Sequence, residues 1–597
     1  MSDTDVLPSS SSARAYPWLA HYDVEVPATL EFIPHALYDW LDEAARTVPK
    51  RPACRFVNRT ISYARLKDDA ETIAAGLRAQ GLRPGDRVGV MLPNLPQTMQ
   101  IFWGILKAGG VVAMINPLYM EKELVHQIHD AGVRILVAAD LCRPKLEALR
   151  NKLCVEQYYY TSIADALAFP LNWLQRFKTR RENKGKASHF SSDGVLPFSS
   201  LLRGSERLSV PVNNPMETPA VLQYTGGTTG VSKGVVLTHA NLTANVEQTA
   251  AYLYMLKDRQ QTFLGLLPFF HVYGLSTCML LPTLLQSTVV PVPRYVAAEL
   301  LPTLEKYKVT VFPGAPSVYI SLLQQKRNKK YPLSNLRLCV SGSAPMPVEY
   351  IRQFEREYNI NFIEGYGLSE ASPITHLNPC TGGKRIGSIG LPLPGTEALI
   401  VDMEVGQVPL PPGKIGELVV SGPQVMREYW NRPDETAGAL RNGRLYTGDI
   451  AYMDEDGYFY IVDRKKDMII VGGYNVAPRE IDEVLHEHPK VKEAVTVGVP
   501  HPTRGEIIKT YIVPKDGQTL DRSEVAAWCR ARLANYKVPK QVEFRTELPK
   551  TLVGKILRRT LRAEEEERNR TLSSKQAEAE YLASEHEERP AAPVSEN

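Results

Sequence analysis

Three things this chain has little of narrow its class before any motif is read. Cysteine is the first: 7 residues in 597, Cys54, Cys142, Cys278 and Cys529 among them, lie scattered without the paired spacing of a metal site. A sparse, odd set fits a reducing cytoplasm and excludes a disulfide scaffold. Charge of one sign is the second. A formal net charge of +4 is small at this length, and aromatic-basic clustering of the nucleic-acid kind is absent, so no nucleic-acid partner is expected. Long apolar runs are the third. One uncharged run, residues 275–292, approaches the length of a membrane span, but it is interrupted by Pro282, Gln286 and Pro291 and reads as a buried helix followed by a buried strand. The polar start Met1-Ser2-Asp3-Thr4-Asp5 is not a secretory signal, and Ser595-Glu596-Asn597 is not a peroxisomal address. With 44% hydrophobic and 23% charged residues, a soluble cytoplasmic protein of two or more domains is expected.

What is present is organised around residues 221–237. An apolar strand-like start leads into Thr225-Gly226-Gly227-Thr228-Thr229-Gly230-Val231-Ser232-Lys233-Gly234, and a second apolar strand follows. Glycines let backbone N–H groups converge without steric cost. Hydroxyls add donors and Lys233 adds charge, which together suit a polyphosphate. The Walker pattern is different, since its lysine opens a helix.

Residues 1–30 read as an irregular arm, with Tyr16-Pro17-Trp18-Leu19 able to dock on the body. Helical periodicity begins in residues 35–41. A strand at 87–92, a helix at 97–108, a strand at 111–115 and a helix opening near Glu121 argue for an α/β domain with largely parallel sheets. Residues 155–210 break this rhythm. There Phe169, Trp173, Leu174 and Phe177 precede Lys178, Arg180, Arg181, Lys184 and Lys186, a composition that suits a solvated insertion or contact with an anionic bilayer. The α/β pattern resumes to about residue 400. A small β-rich unit, a charged knot at 463–467 and a compact α+β segment follow, and an acidic tail closes the chain.

Seven segments then occur in order. They are the loop at 224–234, Leu267-Pro268-Phe269-Phe270-His271-Val272-Tyr273-Gly274, Ser341-Gly342-Ser343-Ala344-Pro345, Glu364-Gly365-Tyr366-Gly367-Leu368-Ser369-Glu370, Tyr446-Thr447-Gly448-Asp449, Asp463-Arg464-Lys465-Lys466-Asp467, and Pro549-Lys550-Thr551-Leu552-Val553-Gly554-Lys555. The series resembles the adenylate-forming enzymes over about residues 30–562. Within them it looks most like bacterial long-chain fatty-acid–CoA ligases, with Gly422-Pro423-Gln424-Val425-Met426, Tyr429-Trp430 and Tyr536-Lys537-Val538-Pro539-Lys540 read as in that subgroup.

The resemblance implies an α/β fold: a large AMP-binding domain over 31–462 with parallel α/β sheets and a β-barrel-like subdomain, a hinge at 463–467, and a mobile α+β domain over 468–562. It implies ATP and CoA as co-substrates, Mg²⁺, and a fatty acid activated first as acyl-adenylate. Gly226, Gly227, Thr228, Thr229, Gly230 and Lys233 would hold the phosphates, and Glu370 with Thr225 the metal. Tyr366 would face adenine between Gly365 and Gly367, with Gly342-Ser343-Ala344 opposite and Ser369 and Ile461 nearby. Asp449 would accept the ribose hydroxyls and Arg464 would contact ribose and phosphate. Lys555 would reach the carboxylate–phosphate junction. Asp463 would be the hinge, swinging Gly472, Gly473 and Tyr474 to the thiol.

The acyl pocket would be Phe270, His271, Val272, Tyr273 and Gly314. It has no carboxylate for an amino-acid ammonium, which favours a fatty or aryl acid. Thr225, Glu370 and His271 join Lys555 as the catalytic candidates. Long-chain specificity rests on the subgroup, because Leu275 stands where some relatives place a gating tryptophan. An aryl or medium-chain acyl-CoA ligase, or a fatty-acyl-AMP ligase loading a carrier protein, remain the alternatives. A homodimer, and a peripheral contact of residues 169–186 with the inner face of the membrane, are left open.

Overall fold

Short apolar runs alternating with helical segments build two large sheets in the first part of the chain. The computed structural model describes residues 16–182, 194–225, 232–325, 331, 333–403, 405–471, 474–501, 505–551, 556–568 and 570. The chain divides into two compact units, Met1–Thr447 with Ala451–Ile461, and Gly448–Ile450 with Val462–Asn597.

In the first unit, an eight-stranded sheet has the order Glu428–Tyr429, Lys233–Thr238, Pro219–Thr225, Val111–Met114, Arg87–Met91, Ile135–Ala139, Gln157–Thr161, Val195–Pro197. From Pro219–Thr225 onward every pairing is parallel. These strands read as unbroken apolar runs because helices cover both faces. Pro96–Lys107 is buried along its whole length, as a helix apolar on all sides must be. The close packing of this helix on Tyr63–Ala79 requires Gly104, whose Cβ would fall 2.4 Å from Ile73 Cγ2.

A nine-stranded sheet runs Leu391–Pro392, Ile374–Leu377, Asn361–Gly367, Leu338–Ser341, Val311–Gly314, Thr262–Gly265, Thr288–Pro291, Pro52–Phe56, Arg59–Ser62. It is parallel in the middle and antiparallel at both ends. A smaller sheet contains Glu397–Val401, Gly416–Ser421, Arg444–Met453 and Leu440–Arg441.

The second unit carries a sheet ordered Tyr474–Val476, Ile469–Val471, Gly505–Pro514, Val491–His501, with Gln541–Phe544 parallel to Gly505–Pro514. Pro478–His486 and Arg522–Arg530 are its helices, and Ile481, Leu485 and Val525 are buried among its core residues.

Two local expectations shift. The first helix starts at Asp39, not His35, because the amides before it are used elsewhere: Ala36 N donates to Asp39 Oδ2 (3.1 Å) and Leu37 N to His239 Nδ1 (3.1 Å). Residues 155–210 do not interrupt the sheet, since Gln157–Thr161 and Val195–Pro197 extend it. Tyr158, Tyr159 and Tyr160 fit a pleated, buried surface, and the basic helix between the two strands hides that signal. The run at 275–292 resolves as expected into buried helical turns and the buried strand Thr288–Pro291. The arm docks: Trp18 is buried, its ring 6.0 Å from that of Phe459.

Candidate active site

Four of the seven segments, those that begin at Tyr224, Leu267, Ser341 and Glu364, lie at or just after the C-terminal ends of first-unit strands that have parallel neighbours. Gly314 pairs in register with Ser341, and Ser341 with Glu364. Gly314, the turn Gly342-Ser343-Ala344 and the stretch Gly365-Tyr366-Gly367 therefore emerge side by side. In open α/β sheets this edge is where ligands bind. Ser343 sits at φ 73°, a strained conformation for serine. The Ser341 and Ser343 hydroxyls are buried with no hydrogen-bond partner among the described residues, so the turn holds unused polar capacity where a ligand would meet it. A Cβ on Gly342 would lie 3.1 Å from the Tyr273 ring.

Tyr366 lies opposite His376 in register, their ring centroids 5.9 Å apart. Burial pushes the His376 imidazole down to about 3, so a neutral ring backs the half-buried Tyr366. The flanking glycines have a steric reason of their own. A Cβ on Gly365 would sit 2.5 Å from Leu377 Cδ2, and one on Gly367 2.1 Å from the Pro373 carbonyl oxygen.

The apolar loop after Thr262–Gly265 is held by Asn94. Its amide donates to the Gly265 and Leu267 carbonyls (2.8 and 2.7 Å) and accepts from Phe269 N (2.8 Å). His271 caps the short helix Val272–Leu275, Nδ1 accepting from Tyr273 N at 3.3 Å. Phe270 and His271 are half-buried, while Val272 and Tyr273 are buried. The Tyr273 hydroxyl donates to the Val340 carbonyl (2.9 Å), and burial raises its pKa strongly, so it serves as a wall. Gln223 Nε2 donates to the Phe270 carbonyl (2.9 Å), tying this loop to the strand that ends at Thr225.

The glycine-rich loop spans a β-hairpin. Thr225 and Lys233 face each other in the antiparallel pair Pro219–Thr225 and Lys233–Thr238. The lysine thus opens a strand, as the sequence indicates. Lys233 Nζ pairs with Glu435 and lies 5.2 Å from the centroid of the Tyr429 ring. Tyr429 Oη donates to Glu370 Oε1 at 2.7 Å. Burial, then the Glu370 carboxylate, raises the pKa of that hydroxyl, which therefore stays a donor. Glu370 stands in the turn Ser369–Ala371, its carbonyl fixed by Met426 N (2.7 Å).

Of the remaining candidates, Ile461 is half-buried in the strand Phe459–Arg464. In the second unit, buried Asp449 meets Arg464, Oδ1 to Nε 3.3 Å. Asp463 is buried and accepts from Arg464 N (2.7 Å) and Arg479 N (2.8 Å), with Arg558 Nη1 at 3.4 Å. Tyr474 lies in the short strand Tyr474–Val476. Gly226, Gly227, Thr228, Thr229, Gly230, Gly472, Gly473 and Lys555 lie outside the described residues.

This arrangement agrees with comparison to known proteins. The AMP-binding enzyme model matches residues 41–430, and the AMP-binding enzyme C-terminal domain model matches 480–555. The chain belongs to the AMP-binding enzyme family. It is 46% identical to a long-chain-fatty-acid–CoA ligase of Bacillus subtilis over 92% of this chain and 98% of that protein. It is 39% identical to an Escherichia coli long-chain-fatty-acid–CoA ligase over 92% and 98%. The crystal structure of ATP-bound MatB from Rhodopseudomonas palustris superposes with a TM-score of 0.77 at 29% identity, covering 88% of this chain and 98% of that one.

Three residues in this member of the AMP-binding family were not legible as site residues. Tyr429 marks the ligase subgroup in sequence, but its bond to Glu370 joins residues 59 apart. Asn94 and Gln223 lie in a proline-flanked turn and an apolar strand, and no local pattern signals that their amides brace the His271 loop.

Proposed function

We propose that this chain activates a long-chain fatty acid with ATP and transfers the acyl group to CoA. The acid carboxylate attacks the α-phosphorus, giving acyl-adenylate and pyrophosphate; the CoA sulfur then attacks the acyl carbonyl and AMP leaves. The observation that carries the reading is the alignment of Gly314, Ser341 and Glu364 at one sheet edge, which brings the loops that follow them beside one another. The identity to two long-chain-fatty-acid–CoA ligases across nearly their whole length supports the acid class.

In this proposal Tyr366 and Gly342-Ser343-Ala344 bound the adenine, with Ser369 and Ile461 nearby. The unpartnered hydroxyls of Ser341 and Ser343 supply donors there. Phe270, His271, Val272, Tyr273 and Gly314 receive the acyl group, His271 orienting its carboxylate. Thr225, Lys233 and the loop between them hold the departing phosphates, where fixed donors and positive charge lower the barrier. The two ATP-ribose contacts are assigned to Asp449 and Arg464. Lys555 stabilises the charge that builds between carboxylate and phosphate, and the CoA arm is assigned to Gly472, Gly473 and Tyr474.

The donor set at Glu370 suits Mg²⁺. One carboxylate with the Thr225 hydroxyl is what this ion uses when it also keeps waters and phosphate oxygens. Among the described residues no group of three or more His, Cys, Asp or Glu could hold a metal alone. When bound, Mg²⁺ would offset phosphate charge, with Tyr429 orienting Glu370.

Pyrophosphate release, measured with and without CoA over a ladder of fatty and aryl acids, tests the proposal. CoA-dependent turnover highest with long-chain acids is expected. Preference for aryl acids, or adenylate formed without CoA acylation, would replace it with one of the alternative ligase readings.

A further inference from the structure

Residues 16–26 precede the family match that begins at residue 41, and no step above uses them, yet they are fixed to the body at several places. Tyr16 Oη donates to Glu397, and its ring stacks on that of Trp18, centroids 4.7 Å apart. Trp18 is buried. Its backbone lies so close to Gly457 that a Cβ there would fall 2.5 Å from Trp18 N, and Gly457 holds φ 85°, a conformation glycine adopts freely. The Tyr22 hydroxyl donates to the Pro392 carbonyl at 2.6 Å, and its ring meets Tyr252 edge-on at 5.7 Å. Asp23 Oδ2 accepts from Cys380 N and Thr381 N (3.1 and 3.2 Å).

These anchors converge on the strand Ile374–Leu377. Pro392 is the register partner of His376. Tyr252 Oη donates to the Leu377 carbonyl (2.9 Å), and Cys380 lies just beyond the strand's end. The Trp18 ring meets Phe459 at 6.0 Å, Phe459 meets His376 at 4.8 Å, and His376 meets Tyr366 at 5.9 Å between centroids. A line of rings therefore runs from the arm to the residue assigned to adenine, all of it within the first unit. Phe459 and His376 are fully buried. The Phe459 backbone is pinned, N donating to the Gly390 carbonyl (3.1 Å) and O accepting from Ile389 N (2.9 Å). The His376 ring is held less firmly: Nδ1 pairs with the neighbouring Thr375 hydroxyl (2.8 Å), while Nε2 is buried with no hydrogen-bond partner among the described residues. Packing, with Phe459 among its neighbours, sets where this ring stands.

We propose that the arm braces the adenine wall, Trp18 acting through Phe459 and His376 as a positioning residue for Tyr366. The proposal rests on the assignment of Tyr366 to adenine made above. Close-packed interiors transmit small displacements because they hold no slack. Deleting a buried ring leaves a space into which its neighbours relax only in part. Tyr366 keeps its backbone register in such a variant, so the effect is a graded loss of nucleotide affinity and not a loss of chemistry. The His271 loop is held separately, by Asn94 and Gln223.

The test titrates ATP and AMP into full-length wild type, Trp18→Ala and Trp18→Phe by calorimetry, well below the melting temperature of each. Trp18→Ala should bind both nucleotides about threefold to tenfold more weakly, the scale of one aromatic contact, and Trp18→Phe should recover most of the loss. In ATP–pyrophosphate exchange the KM for ATP should rise while the KM for the fatty acid stays at the wild-type value. In a Phe459→Leu background Trp18→Ala should add less than it does alone, since the route is already cut. Nucleotide affinity in Trp18→Ala equal to that of the wild type would overturn the proposal. Equal increases in the two KM values would also overturn it, since they mark an arm that only stabilises the fold, and full additivity with Phe459→Leu would remove the route through that ring. Failure of the wild type itself to bind ATP would remove the adenylate reading, and the brace with it.

Discussion

Among the described residues, the Tyr429 hydroxyl donates to Glu370 Oε1 at 2.7 Å. A hydrogen bond to a charged group contributes about 1.5–3 kcal/mol. Tyr429→Phe should therefore slow adenylation by about tenfold to a hundredfold and raise the Mg²⁺ concentration needed for half-maximal ATP–pyrophosphate exchange. Exchange with unaltered Mg²⁺ dependence would separate Tyr429 from the metal site. Asn94 acts through its neighbours: its three buried bonds hold the chain from Gly265 to Phe269. Asn94→Ala removes these partners from the Leu267 carbonyl and the Phe269 amide, at about 1–3 kcal/mol for each group so stranded, while the Gly265 carbonyl keeps its bond from Val292 N (2.9 Å). Urea unfolding should show a loss of at least ~2 kcal/mol. A midpoint within error of the wild type would mean that the loop does not depend on Asn94.

At the scale of elements, the glycines around Tyr366 make a distinct case. Gly367 belongs to the strand Asn361–Gly367 and packs against the Pro373 backbone so closely that a Cβ would be 2.1 Å from the carbonyl oxygen. Backbone cannot yield as a side-chain tip does, so Gly367→Ala should destabilise the fold by about 1–3 kcal/mol or more. Thermal melting without ligand detects this; an unchanged melting temperature would return the glycine to a purely nucleotide-facing role. The strands themselves were legible where they form unbroken apolar runs, as in Arg87–Met91 and Val111–Met114. Gln157–Thr161 was not, because the helix following it carries a surface pattern of its own that reads as an insertion.

For the molecule as a whole, two buried imidazoles tie stability to pH. Burial lowers His239 and His376 from 6.5 to about 3. Both are depressed in the folded state, so below pH 6.5 the unfolded chain takes up protons that the native chain refuses until about pH 3. Stability rises with pH in that window and is lost as pH falls. Each group contributes a slope of at most ~1.4 kcal/mol per pH unit. Urea midpoints of the first unit's transition should fall from pH 6.5 to pH 5, and His239→Gln should flatten the fall; identical slopes in the two proteins would exclude His239. The division of the chain into two units bears on chemistry as well. Under the proposed role of Lys555, Lys555→Ala should suppress adenylate formation by about 3–4 kcal/mol and leave thioester formation from pre-made acyl-adenylate largely intact. Equal loss in both half-reactions would remove that assignment.

The sequence by itself determined the family and the α/β fold class, and it supplied the polyphosphate role proposed for the glycine-rich loop, because each depends on local residue types in a fixed order: apolar runs, glycines with hydroxyls, and a lysine that opens a strand. Tertiary structure decided how those segments meet. The register of three parallel strands aligns Gly314, Ser341 and Glu364, and the hairpin sets Thr225 opposite Lys233. Chain crossings bring Tyr429 to Glu370 and Asn94 to the His271 loop. Such contacts join residues far apart in the chain and leave no periodicity behind them. The same holds for the arm: a docking composition was plain in Tyr16-Pro17-Trp18-Leu19, but only packing decides that Trp18 lands on Phe459, with His376 between that ring and Tyr366.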